Sequence, residues 1–160
     1  MLTKARKSIV LLQGNPGEKL FDLLKKRGTK EIFVLEGRPE LNSKRFKKIF
    51  KHKITPTLIS DNMAGFLFYK NLIKEIWIGC YAVKQEGALC NIGASILGVL
   101  GKRHKISVNL FPSNGTKTKV SASPDKIFYF EGKRIAPKGI KGYVPLVEWL
   151  PKKYITRIYS

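Results

Sequence analysis

Pro56-Thr57-Leu58-Ile59-Ser60-Asp61-Asn62-Met63-Ala64-Gly65 passes from an apolar run to a carboxylate and on into a second apolar stretch. The run Thr57 to Ser60 has the character of a buried strand, and the residues from Asn62 to Lys70 read as a helix. An acid at such a junction has two uses. As an N-cap, Asp61 would accept a hydrogen bond from a free N–H in the first helical turn, worth roughly 0.5–2 kcal/mol against Ala. At the carboxyl edge of a parallel sheet, it would stand where open α/β folds place their ligands. The residues alone leave both uses open.

The same strand-to-helix junction recurs on either side. Lys7 to Leu12 is a short apolar run that stops at Gln13-Gly14-Asn15-Pro16-Gly17, and Glu18 to Arg27 repeats apolar residues at Leu20, Phe21, Leu23 and Leu24. Cations at Lys25, Lys26 and Arg27, with Gly28 just beyond, are the expected helix stop. Glu31 to Leu35 is a second strand, followed by the loop Glu36 to Glu40 and a basic helix from about Ser43 to His52, whose apolar side is Phe46, Ile49 and Phe50. Beyond the opening stretch, Glu75 to Gly79 is a strand, Cys80 to Gly87 a loop, and Asn91 to Gly101 a helix. Ser107 to Phe111 and Lys126 to Phe130 complete the strands, and Val144 to Ile158 is expected to pack on the sheet.

Strands alternating with helices at this spacing predict parallel βαβ units. The expected fold is α/β, a Rossmann-like parallel sheet of about six strands with helices on both faces, in one domain over residues 1–160. A chain of 160 residues buries an ordinary core without metal or disulfide support. Only Cys80 and Cys90 are present, and reduced thiols are expected. With apolar stretches broken well before a membrane span and no cleavable leader, the expected location is the cytoplasm, with no membrane partner. The 31 Lys and Arg against 11 Asp and Glu give a formal charge of +20, which favours an anionic partner: a phosphorylated ligand, RNA or an acidic protein.

In a parallel sheet the carboxyl ends of the strands share one edge. That edge would gather Gln13 to Gly17, Glu36 to Arg38, Ser60 to Asn62, Gly79 to Tyr81 and the helix start at Asn91 to Gly93. Gly17 and Gly93 open helices whose N–H groups suit a phosphate, and Arg38 and Arg45 would add guanidinium contacts. Asn15, Asn62 and Asn91 complete the candidate ligand-binding set. Turn, cap and surface roles compete for each position singly. Neither a G-x-G-x-x-G, a Walker lysine nor a zinc-like Cys/His spacing occurs, so no nucleotide cofactor or metal is expected.

Together these segments resemble the carboxyl-terminal domain of a superfamily that includes methylthioribose-1-phosphate isomerase, ribose-1,5-bisphosphate isomerase and the alpha, beta and delta subunits of eukaryotic initiation factor 2B. EIFVLEGRP is similar to the family's strand ending in E-x-R-P, and PTLISDNMAG to its T-x-I-x-D segment. The stretch from Glu75 to His104 resembles the V-G-A-D/E and N-K-I-G-T region, and Glu148 to Ser160 the closing F-E/D-x-T-P segment. The resemblance implies that Asp61 moves a proton in aldose-ketose interconversion of a sugar 1-phosphate, working with a cysteine after the first strand.

Here that cysteine's place is taken by Gly14. The G-A-D/E carboxylate is replaced at Gly79-Cys80-Tyr81, and the lysine of N-K-I-G-T is either replaced by Asn91 or deleted. The family's amino-terminal helical domain is expected to be absent. Cys80 and Cys90 are the remaining thiols, and a lowered pKa would be required for either to act; filling gaps as small apolar residues is the competing role. The expectation is therefore a domain that binds a sugar phosphate or nucleotide without turnover. Two alternatives are a reduced isomerase using Asp61 and RNA or ribosome association through the basic helix and Lys117 to Lys119. The resemblance also implies a homodimer, for which Trp77, Trp149 and Tyr154 are candidate contacts.

Overall fold

The computed structural model describes residues 9–40 and 44–160. The first half of the chain follows the expected rhythm: β1 (Ile9–Gln13), α1 (Lys19–Lys26), β2 (Glu31–Leu35), α2 (Lys44–Lys51), β3 (Thr55–Ile59), α3 (Met63–Tyr69) and β4 (Ile73–Lys84). Lys7 and Ser43, expected at the starts of a strand and a helix, lie outside the described residues. β5 (Gly87–Asn91), α4 (Ala94–His104) and β6 (Ser107–Pro112) follow, and β9 (Val147–Pro151) and β10 (Arg157–Ile158) close the chain.

Side chains alternate across the strands and divide the core in two. Ile9, Leu11, Phe33, Leu35, Ile76 and Ile78 pack with α3 and α4 through Ala64, Leu67, Phe68, Ala94 and Leu97. Val10, Leu12, Ile32, Val34 and Trp77 pack with α1 and α2 through Leu20, Phe21, Leu24 and Ile49. Both faces of the sheet are thus covered, as a central parallel sheet requires. The strand order is β10-β6-β4-β1-β2-β3, so the chain reverses direction across the sheet between β1 and β4. Ligands in open α/β sheets bind beside such a switch point, at the strands' carboxyl ends.

The sheet is mixed rather than wholly parallel. The segment expected as a loop from Cys80 to Gly87 instead continues β4 to Lys84 and turns into β5, which pairs antiparallel with β4 and with β9. The expected helix accordingly begins at Ala94, with Asn91 ending β5. Gly87 makes the close approach possible, since a Cβ there would lie 2.2 Å from the Leu150 carbonyl oxygen.

Lys126 to Phe130 does not form a strand of the main sheet. It becomes the short helix α5 (Asp125–Phe128) and the first strand of a separate hairpin, β7 (Tyr129–Phe130) with β8 (Lys133–Arg134). Both strands are exposed, so nothing pulls an apolar face onto the sheet. Glu131 and Gly132, with φ of 49° and 76°, make the turn of positive-φ residues that favours a tight hairpin. Phe50 is 61 % exposed, whereas Trp77 is fully buried beside Phe111 and Tyr159 and offers no surface to a partner. No helix among the described residues is long and apolar enough to cross a membrane.

Candidate functional site

A cleft of about 510 Å³ opens between α3 and α4 at the carboxyl ends of β1 and β2. Leu35, Ala64, Ile92, Ile96, Leu97 and Leu100 give it apolar walls, and Gln13, Arg38, Asp61, Asn62 and Glu148 supply its polar groups. A smaller recess continues past Gln13 and Arg38 to Gly14, Gly37 and Asn91. Few polar groups in a largely apolar concavity of this size is the usual composition of a small-molecule site.

Asp61 sits in the turn after β3 and does not cap α3. Its Oδ1 accepts from the Gly37 amide at 2.9 Å and its Oδ2 from the Arg38 amide at 2.8 Å. The carboxylate thus fastens the β2 loop and still lines the cleft. Asn62 stands at the N-terminus of α3 without making a cap bond; its Oδ1 accepts from the Ser60 hydroxyl at 2.7 Å. Arg38 lines the rim, with its Nε 3.4 Å from Glu36 Oε2 and its guanidinium over the Phe130 ring at 4.7 Å. Gly93 precedes α4 with φ of 95° and borders the cleft floor.

Other candidates serve the scaffold. Arg45 is not a surface guanidinium: it is 2 % exposed and donates to the carbonyls of Gly14 at 3.3 Å, Glu36 at 2.7 Å and Leu35. Burial lowers its pKa, with the Asp61 charge opposing. Gly17 donates its N–H to the Pro112 carbonyl at 2.8 Å, so that donor is not open to a phosphate. Asn15 accepts from Lys48 Nζ at 3.4 Å outside the cleft, and Asn91 accepts from the Tyr81 hydroxyl at 2.8 Å beside the recess.

Cys80 and Cys90 face each other across β4 and β5 and are buried. Burial raises both thiols above their ordinary value, and at Cys90 the neighbouring Cys80 and Glu148 add to the rise. Such thiols are small core residues, not activated nucleophiles. At Gly14 a Cβ would meet only ordinary contacts, the nearest 3.5 Å away, but φ of 79° disfavours any side chain.

Two residues outside the candidate ligand-binding set join the site. Gln13 closes β1 at 4 % exposure, and its Nε2 donates to the Ile92 carbonyl at 2.8 Å. Its sequence signal is a polar residue ending an otherwise apolar strand. Glu148 Oε1 accepts from the Ser95 amide at 2.9 Å, in the first turn of α4. That contact depends on β9 pairing with β5, for which the sequence carries no local mark.

The model of the initiation factor 2 subunit family matches residues 17–160. The methylthioribose-1-phosphate isomerase of Trichlorobacter lovleyi is 31 % identical over 143 residues, covering 81 % of this chain and 41 % of that protein. The 5-deoxyribose 1-phosphate isomerase of Petrotoga mobilis is also 31 % identical, with 81 % and 41 % covered. Among solved structures, subunit delta of translation initiation factor eIF-2B from A. fulgidus superposes with a TM-score of 0.79 at 20 % identity, over 94 % of this chain and 51 % of that one. The 5-methylthioribose 1-phosphate isomerase of Pyrococcus horikoshii superposes at 0.77 with 23 % identity, over 94 % and 49 %. The chain spans about half the length of these solved structures, or less of the curated relatives.

Proposed function

Because this chain belongs to the initiation factor 2 subunit family, we propose that it binds a phosphorylated small molecule, a sugar phosphate or nucleotide, in the α3–α4 cleft without turning it over. The observation that carries the reading is Asp61, a carboxylate held in place by two main-chain amides while lining a cleft with Arg38 at its rim. A fixed carboxylate accepts from sugar hydroxyls, and a half-exposed guanidinium suits a phosphate. Gly14 and the two buried thiols favour binding over catalysis, since no cysteine lines the cleft among the described residues. The +20 charge speeds the approach of any anionic ligand.

A thermal-shift series with pentose phosphates and nucleoside monophosphates tests this. A ligand at 100 times its dissociation constant stabilises by about 2.7 kcal/mol, and Asp61→Asn should reduce the shift. No stabilisation by any member would overturn the reading. The isomerase names of the relatives at 31 % identity favour a second one, in which Asp61 moves a proton during aldose-ketose interconversion. Turnover of methylthioribose 1-phosphate that disappears in Asp61→Asn would establish it, and no turnover across the sugar phosphates would remove it.

A further inference from the structure

Resting on the binding function just proposed, we infer that the floor of the cleft reads a ligand hydroxyl and turns a phosphate away, so that a sugar phosphate lies with its hydroxyls inward and its phosphate at Arg38.

The orientation of the Gln13 amide is set from one side. Nε2 donates to the Ile92 carbonyl at 2.8 Å and lies 3.5 Å from the Asn91 carbonyl. Turning the amide over would place oxygen against oxygen, so Nε2 keeps this position. Oε1 is then left buried with no partner among the described residues, on a side chain that lines both the cleft and the recess. A buried carbonyl in that state is stabilised by an arriving donor. A sugar hydroxyl supplies one, and the fully ionised phosphate of a sugar phosphate does not.

Glu148 gives the floor its charge. The N-terminal turn of α4 is where backbone N–H groups and the helix dipole would otherwise attract an anion. That place is already taken by the Glu148 carboxylate on the Ser95 amide. A second anion there meets like-charge repulsion in a poorly solvated space. Gly93 closes the same floor, since a Cβ on it would lie 3.2 Å from Gln13 Nε2. Arg38 is the one cation among the described residues lining the cleft, and its side chain is 41 % exposed.

Calorimetric titration of the purified chain with ribose 1-phosphate and, separately, inorganic phosphate tests both halves. Ribose 1-phosphate should bind at least about tenfold tighter than inorganic phosphate, the factor expected from one buried hydrogen bond. Gln13→Leu should lose about that factor for ribose 1-phosphate and none for phosphate. Glu148→Gln, which still accepts from the Ser95 amide, should gain about tenfold for inorganic phosphate. Should Gln13→Leu fail to fold, the 2-deoxy, 3-deoxy and 5-deoxy sugar phosphates on the unaltered chain decide the same point, since one of them must lose the hydroxyl that Gln13 reads. Undiminished binding of all three, or phosphate binding unmoved by Glu148→Gln, would overturn the inference. Failure of ribose 1-phosphate to bind at all would instead overturn the binding function, and the inorganic phosphate titration of Glu148→Gln would still decide the role of Glu148.

Discussion

Asp61 and Arg38 meet through the main chain and not through their charges: Asp61 Oδ2 accepts from the Arg38 amide at 2.8 Å, while the Arg38 side chain turns toward Glu36 and the Phe130 ring. With the companion bond from Gly37, the carboxylate sets the path of the β2 loop, while Glu36 and Phe130 hold the guanidinium at the rim.

Asp61→Ala should therefore destabilise the fold by about 2 kcal/mol, the scale of hydrogen bonds to a charged acceptor at a partly exposed place. Asp61→Asn keeps one acceptor and should cost about half as much. Urea denaturation of the two variants measures this, and equal losses would contradict the assignment of both amides to the carboxylate.

Arg45 should be the most sensitive of the basic residues in α2. Its guanidinium joins carbonyls at the ends of β1 and β2, so Arg45→Ala leaves buried acceptors unpaired and should cost about 3 kcal/mol or more. Arg45→Lys should recover less than half of it, because one ammonium does not reproduce the planar fork. Neighbouring Lys47→Ala, on the solvent side, should change the denaturation midpoint little.

The facing thiols predict an alkaline decline in stability. In the unfolded chain a cysteine loses its proton from about pH 8.5, whereas burial keeps Cys80 and Cys90 protonated above their ordinary 9.0 in the fold. The unfolded state then binds fewer protons, the slope of unfolding free energy with pH is negative, and stability falls as pH rises above about 9. Replacing Cys80 and Cys90 by alanine should flatten that part of the pH profile. In the native protein at pH 8, a thiol-reactive dye should label neither residue until denaturant is added.

Gly87→Ala should open the β5–β9 pairing. The added methyl meets Leu150 main-chain atoms at 2.2 and 3.1 Å, which move only with the strand. A loss of about 2–3 kcal/mol is expected, together with faster proteolysis after β9 and weaker holding of Glu148 at α4. A melting curve and limited proteolysis together read the effect.

The parallel core was legible because each unit switches from a continuous apolar run to a helical stripe, as Glu31–Leu35 and Leu20 to Leu24 show. The antiparallel extension was not. β5 pairs with β9 across some sixty residues of chain, and its hairpin with β4 turns at Gln85-Glu86 without the Asn-Gly or Asp-Gly signal. At the site, Asp61 announced itself as an acid at a strand end, but its partners are amide protons, which any residue carries. Arg45 was expected to reach a ligand phosphate, and nothing in the lysine-rich helix around it marks its guanidinium as one that turns inward to main-chain carbonyls.

β3 is the last strand of the main sheet on its side among the described residues. Thr55 turns its N–H inward to the Lys30 carbonyl, so the next position, Pro56, faces outward in the register where a further strand would seek a donor. Proline has none to give. Copies of the chain arriving edge to edge would find this ladder broken, with 58 % exposed Leu58 inviting contact one step farther on. Pro56 thus acts against runaway sheet growth in a molecule whose α3–α4 cleft opens at the end of the same strand.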